Sequence, residues 1–180
     1  MTSDFSHVIA AVKDEEGFCS ALLEMPEWIF DLSPDIASLK ARAEAAHRAN
    51  KKYFIHFDLT SGIGKDKSGL LYAKNAGIDG IISTRVNIIR SAKELSIFTV
   101  QRFFIVDSHS ISTTLEAISS AKPDMMEIMP GIMPKVIRSL YERTTIPMIA
   151  GGLIESDDEL QSAIASGARA VSTSRVSLWK

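Results

Sequence analysis

Short apolar runs recur along the chain at a steady interval, and a segment with helical spacing follows nearly every one. The runs are HVIAAV from His7, WIFDL from Trp28, KYFIHFDL from Lys52, DGIISTR from Asp79, IFTVQRFFI from Ile97, DMMEIM from Asp124, PMIAGG from Pro147 and RAVSTS from Arg169. Each is brief, bounded by turn formers and rich in β-branched or aromatic residues, the signature of a strand buried on both faces. Between them, SPDIASLKARAEAAHRAN predicts a helix with Ser33 as N-cap, Pro34 at its first position and Ile36, Leu39, Ala43 and Ala46 on one face. Gly77 and Gly167 stand where a left-handed residue would close a helix.

Strand and helix alternate eight times at about 23 residues per unit, which predicts a parallel sheet covered by helices. Eight units favour closure into a (β/α)8 TIM-type barrel, one domain over residues 1–180; a doubly wound open sheet is the other arrangement of such a pattern. The chain has 180 residues, short for a barrel, so the loops must be brief and SLWK leaves little for a final helix.

Composition narrows the picture. With 46% hydrophobic and 23% charged residues the chain is ordinary globular material. The net charge of −2 gives no general attraction to nucleic acid. One cysteine excludes an internal disulfide, and Cys19 is expected to be a buried structural thiol. MTSDFSHVIAAV lacks the basic and apolar regions of a signal peptide, and no apolar run approaches the roughly 20 residues of a membrane span, so a cytoplasmic protein is expected.

Barrel sites lie where the strands end. The residues leaving the predicted strands are Asp31, His56 with Asp58, Thr84 with Arg85, Arg102, Glu127, Gly151 with Gly152, and Ser172, Thr173 and Ser174. In AGGLIESDDEL the glycines let backbone amides approach an anion, while Ser156 and Glu159 form a capping box that supplies the following helix with its own carboxylates. An anion is therefore expected on the Gly152 and Leu153 amides, with Ser172, Thr173 and Ser174 contributing from the next loop: a phosphate site between the last two loops.

Other positions carry weaker signals. Gly131 in MPGIMPKV is either a plain turn or a close approach to ligand. Glu127 needs a partner if it points inward, and Arg102 is the candidate from the neighbouring strand. That pair serves either the hydroxyls of a small polyol or the barrel alone. His56 and Asp58, two apart, share a strand face but lack a third ligand, so no metal is expected. SGIGKDK lacks the spacing of a nucleotide-binding loop, and His109 reads as a surface residue. No lysine stands out at an apolar strand end for Schiff-base chemistry, so no catalytic residue is assigned.

HFDLTSGIGKD, DGIISTRVNIIRSAKELSIFTVQRFFIVDS, KPDMMEIMPGIMPKVI, IPMIAGGLI and AVSTSRVSLW together resemble the glycerol uptake operon antiterminator regulatory proteins, the GlpP family. The resemblance implies a barrel that senses glycerol 3-phosphate and binds the leader messenger RNA of a glycerol-catabolism operon. It implies phosphate at Gly151, Gly152, Ser172, Thr173 and Ser174, and polyol hydroxyls near Asp58, Arg102 and Glu127. No cofactor follows beyond that effector. RNA contacts are sought among Lys65, Lys67, Arg85, Arg90, Lys93, Lys135, Arg138 and Arg175, and a homo-oligomer would widen that surface. The competing expectations are a phosphosugar isomerase or aldolase on the same barrel, and a metabolite sensor acting on a protein partner.

Overall fold

A computed structural model describes residues 7–180; residues 1–6 lie outside it. Eight parallel strands close into a barrel in sequence order, β1 pairing with β8. They are β1 (Val8–Val12), β2 (Trp28–Asp31), β3 (Lys52–His56), β4 (Gly80–Ser83), β5 (Phe98–Phe104), β6 (Met125–Met129), β7 (Met148–Gly151) and β8 (Ala170–Thr173). The intervening helices are α1 (Glu15–Leu23), α2 (Leu39–Arg48), α3 (Lys67–Asn75), α4 (Val86–Glu94), α5 (Ser108–Ala121), α6 (Pro134–Tyr141) and α7 (Asp157–Ala165). The closed barrel, rather than the open sheet, is the fold.

Strand alternation sorts the side chains into two shells. One set, Ile9, Phe30, Phe54, Ile82, Val100, Met125, Ile149 and Ala170, fills the barrel interior. Trp28 stacks on Phe54 with ring centroids 4.4 Å apart and meets Phe98 edge-on at 5.5 Å, so aromatic rings floor the barrel. The alternate residues pack outward under the helices in two further clusters. Two residues beyond the interior apolar layer, the inward positions become Ala11, His56, Arg102, Glu127, Gly151 and Ser172. Apolar floor and polar mouth are thus consecutive turns of one pattern.

Three local expectations are corrected. α2 begins at Leu39, not at Ser33–Pro34. The Ser33 amide donates to Asp31 Oδ1 at 3.1 Å, and Asp35 bridges to Ser61, which holds residues 33–38 outside the helix. Cys19 is exposed, its thiol 3.8 Å from Glu15 Oε1, because Phe18 and Ala21 occupy the inward face of α1. Asp31 does not reach the mouth: it faces outward, fully buried, and accepts from Tyr53 Oη and from Arg42 Nη1, each at 2.6 Å. Arg42 spends its other arm on Glu15 and lies over the Phe18 ring.

The chain ends as its brevity predicts. A single 3-10 turn (Val176–Leu178) replaces an eighth helix, and buried Trp179 donates its indole Nε1–H to the Thr173 carbonyl at 2.9 Å. The Met25 amide donates to the Trp179 carbonyl at 3.1 Å, tying the terminus to the loop between α1 and β2.

Asp31→Ala leaves Arg42 and the Tyr53 hydroxyl without their buried acceptor. It is expected to lower unfolding free energy by about 3 kcal/mol, read as a drop in the urea midpoint at unchanged slope.

Candidate functional site

One carboxylate ties the polar layer together. Glu127 on β6 is fully buried and accepts from Arg102 Nε of β5 at 2.6 Å and from Ser172 Oγ of β8 at 2.5 Å. Arg102 and Glu127 are register partners, so the ion pair follows from strand pairing. Gly151 of β7 lies between the two ends of this network: a Cβ there would stand 2.5 Å from Glu127 Oε1 and 2.6 Å from Ser172 Oγ. Position 151 is glycine because the carboxylate and hydroxyl occupy the space of a side chain. The sequence read it instead as a point of anion approach.

Above this layer opens a cavity of about 190 Å³, lined by Ala11, Lys13, Leu32, Arg102, Glu127, Met129, Gly152, Leu153, Ile154, Glu155, Ser172, Thr173, Ser174 and Arg175. Both Glu127 oxygens are engaged. Arg102 meets the protein only through Nε among the described residues, which leaves its two terminal nitrogens free. Gly152 and Leu153 have φ of +75° and +61°, so the chain turns through consecutive left-handed residues. Among the described residues, the Leu153 amide and the Ser174 amide and hydroxyl have no hydrogen-bond partner. The α7 N-terminus is satisfied from within: Glu159 accepts from the Glu155 and Ser156 amides at 2.8 and 3.0 Å. Lys13, Arg102 and Arg175 oppose Glu127 and Glu155 around the cavity, a surplus of one positive charge. Arg175 and Glu155 pair at 2.8 Å between the loops after β7 and β8. The cavity therefore offers free donors and net positive charge at the C-terminal end of the barrel, a setting suited to an anion.

The expected site residues divide accordingly. Gly152, Ser172, Thr173, Ser174, Arg102 and Glu127 come together on the cavity. The Thr173 hydroxyl is committed, donating to the Ile154 carbonyl at 2.8 Å and accepting from the Arg175 amide at 3.1 Å. Gly131 supports the loop from behind: its amide donates to the Gly152 carbonyl at 3.0 Å, and a Cβ would meet Ile154 Cδ1 at 2.7 Å. Asp58 does not line the cavity. Placed on a 3-10 turn (Phe57–Leu59), it accepts from Ser83 Oγ, the Thr84 amide and Thr84 Oγ1 at 2.8, 2.8 and 3.0 Å, closing the end of β4.

The cations also separate. Helices begin at the mouth end, which puts Lys65, Lys67, Arg85, Lys135 and Arg175 on the rim and Arg90, Lys93 and Arg138 along the outer wall. Lys65 binds the Thr60 carbonyl and stands 5.4 Å over the Phe57 ring; burial pushes its pKa down. Lys67 pairs with Glu94, Lys93 with Asp124, and Arg85 approaches Asp58 at 3.9 Å. Arg90 and Arg138 bind Ser120 and the Ala165 carbonyl. Lys135 is exposed and unpaired among the described residues.

One residue escaped the sequence reading, and another was named there only as a strand-end residue and a weak metal ligand. Lys13 directly follows β1 and lines the cavity, so a lysine does stand at an apolar strand end, exposed rather than desolvated. The rule that found the other mouth residues, applied to HVIAAVKD, reaches it. His56 is buried at the end of β3, and alternation from Phe54 turns it into the barrel. Burial and the charge of Arg102 push its pKa down to about 4 against the opposing pull of Asp58 and Glu127, so the ring is neutral at pH 7.

Fold and cavity define a class: a (β/α)8 barrel with a polar, net-positive cavity at its C-terminal mouth. The model of the glycerol-3-phosphate responsive antiterminators matches residues 8–179, and the chain belongs to that family. The glycerol uptake operon antiterminator regulatory protein of Listeria monocytogenes superposes with a TM-score of 0.92 at 34% identity, covering 99% of this chain and 96% of that one. A glycerol uptake operon antiterminator-related protein of Thermotoga maritima gives 0.87 at 32% identity over 97% and 98%. An Escherichia coli K12 relative, Uncharacterized protein YgcP, is 34% identical over 173 residues, 96% of this chain and 91% of its own length. Among the described residues, no helix is long and apolar enough to cross a membrane.

The lowered pKa of His56 has a measurable sign. Between pH about 6.5 and about 4 the unfolded chain binds a proton there that the folded chain does not, so stability falls as pH drops through that window. Urea denaturation across the window is expected to show this slope, and His56→Leu to flatten it.

Proposed function

We propose that the protein is a glycerol-3-phosphate-gated antiterminator that binds the leader messenger RNA of a glycerol-catabolism operon. Membership of the glycerol-3-phosphate responsive family is the observation that carries this reading. The cavity gives it a physical form. Phosphate sits on the Leu153 and Ser174 amides and the Ser174 hydroxyl, with Gly152 allowing the turn and Lys13 adding charge. The glycerol moiety extends toward the terminal nitrogens of Arg102. Glu127 and Ser172 act by fixing Arg102 and Gly151, because their own hydrogen-bonding groups already meet each other.

RNA contacts belong on the rim, where Lys65, Lys67, Arg85, Lys135 and Arg175 surround the mouth; Arg90, Lys93 and Arg138 stand apart from it. Effector and RNA are coupled through the loops after β7 and β8, which carry both the anion donors and Arg175. Coupling requires the effector to bind the RNA-competent form more tightly than the other form.

The test is leader-RNA binding by purified protein, with and without glycerol 3-phosphate, at two salt concentrations. Binding should tighten with effector and weaken with salt as phosphate contacts give way to counterions. Effector binding without RNA binding would overturn the antiterminator reading. Gly151→Ala, which drives a methyl into Glu127 and Ser172, is expected to abolish the effector response and to cost about 2 kcal/mol of stability.

A further inference from the structure

Arg102 alone does not complete the hydroxyl-recognising side of the cavity. A bound hydroxyl uses both a donor aimed at its oxygen and an acceptor for its proton. Arg102 supplies donors only. The adjacent carboxylate, Glu127, is the obvious acceptor, yet it is fully buried and already accepts from Arg102 Nε and Ser172 Oγ. Asp58 is likewise consumed, by Ser83 and Thr84.

His56 is the polar side chain left over. It is 5% exposed, and neither ring nitrogen has a hydrogen-bond partner among the described residues. Nδ1 is sealed from solvent, whereas Nε2 is not among the sealed atoms. A buried imidazole left unpaired is destabilising, so such a group calls for a partner supplied from elsewhere. Its surroundings point to the mouth. Arg102 and Glu127 both act on it electrostatically, and Nε2 is the ring nitrogen open to a ligand; in the neutral ring a proton on Nδ1 leaves Nε2 as an acceptor. Arg102 and His56 are inward side chains of one layer of the barrel, so that tautomer gives the layer a donor for a hydroxyl oxygen and an acceptor for its proton.

Resting on the phosphate reading of the cavity, we infer that His56 is a specificity-determining residue whose Nε2 accepts a hydrogen bond from a hydroxyl of the phosphorylated polyol, beside Arg102. A fully ionised phosphate has no proton to offer Nε2, so this contact separates a polyol phosphate from any other phosphate. The buried histidine therefore selects for hydroxyls, and the loops after β7 and β8 select for the anion.

Calorimetric titration with glycerol 3-phosphate and with propyl phosphate, which keeps the anion and lacks hydroxyls, tests this directly. The wild-type protein should prefer glycerol 3-phosphate, and His56→Leu should reduce that preference about tenfold, the value of one buried hydrogen bond. His56→Gln, whose carboxamide oxygen can accept a proton in a similar place, should restore part of it and guards against a leucine variant that fails to fold. A folded leucine variant with undiminished preference overturns the assignment of His56. A wild-type protein that binds both phosphates equally overturns it too, while leaving the phosphate site standing. Failure of the wild-type protein to bind either compound removes the phosphate reading itself.

Discussion

The mouth of this barrel depends on one buried carboxylate. Glu127 joins three strands, through Arg102 on β5 and Ser172 on β8, and its position forces a glycine on β7. An uncompensated charge in such a place would be costly, and pairing plus a hydroxyl donor is what makes it tolerable. Everything above it inherits that geometry. With its Nε held, the Arg102 guanidinium presents its remaining nitrogens to the cavity. With no side chain at 151, the strand can continue into Gly152 and Leu153 and turn their loop over the opening.

The arrangement divides labour between backbone and side chain. Anion-directed donors come from loop amides and one hydroxyl, which carry no formal charge and need no counter-ion. Formal charges lie deeper or at the edge, each near an opposite partner: Arg102 with Glu127, Arg175 with Glu155. Among the described residues, only Lys13 adds unpaired positive charge at the cavity. Such a site holds its electrostatic bias whether or not a ligand is present.

Much of the fold was legible because parallel strands covered on both faces must be nearly continuous apolar runs, and eight such runs stand out against helical spacing. The helix start at Ser33 was misread for a physical reason: its cap signal is overridden by Asp31 and by the bridge to Ser61, contacts set by tertiary packing. The site was legible in outline, since strand ends can be counted from sequence. The commitments of its members were not. Whether Thr173 faces a ligand or the Ile154 carbonyl, and whether Asp58 faces the mouth or β4, depends on partners distant in sequence. Ser172 and Glu127 meet across 45 residues, and no local pattern announces it.

The missing eighth helix acquires a meaning beside this site. In the other seven units a helix follows the strand and anchors the far side of its loop. The loop carrying Ser174 and Arg175 is held instead by a single 3-10 turn, an indole bonded back to Thr173, a backbone link to Met25 and the Arg175–Glu155 ion pair. The wall of the cavity that presents the free hydroxyl is thus fastened like a latch, by a few bonds at the chain's end, in a barrel whose other walls are built as masonry.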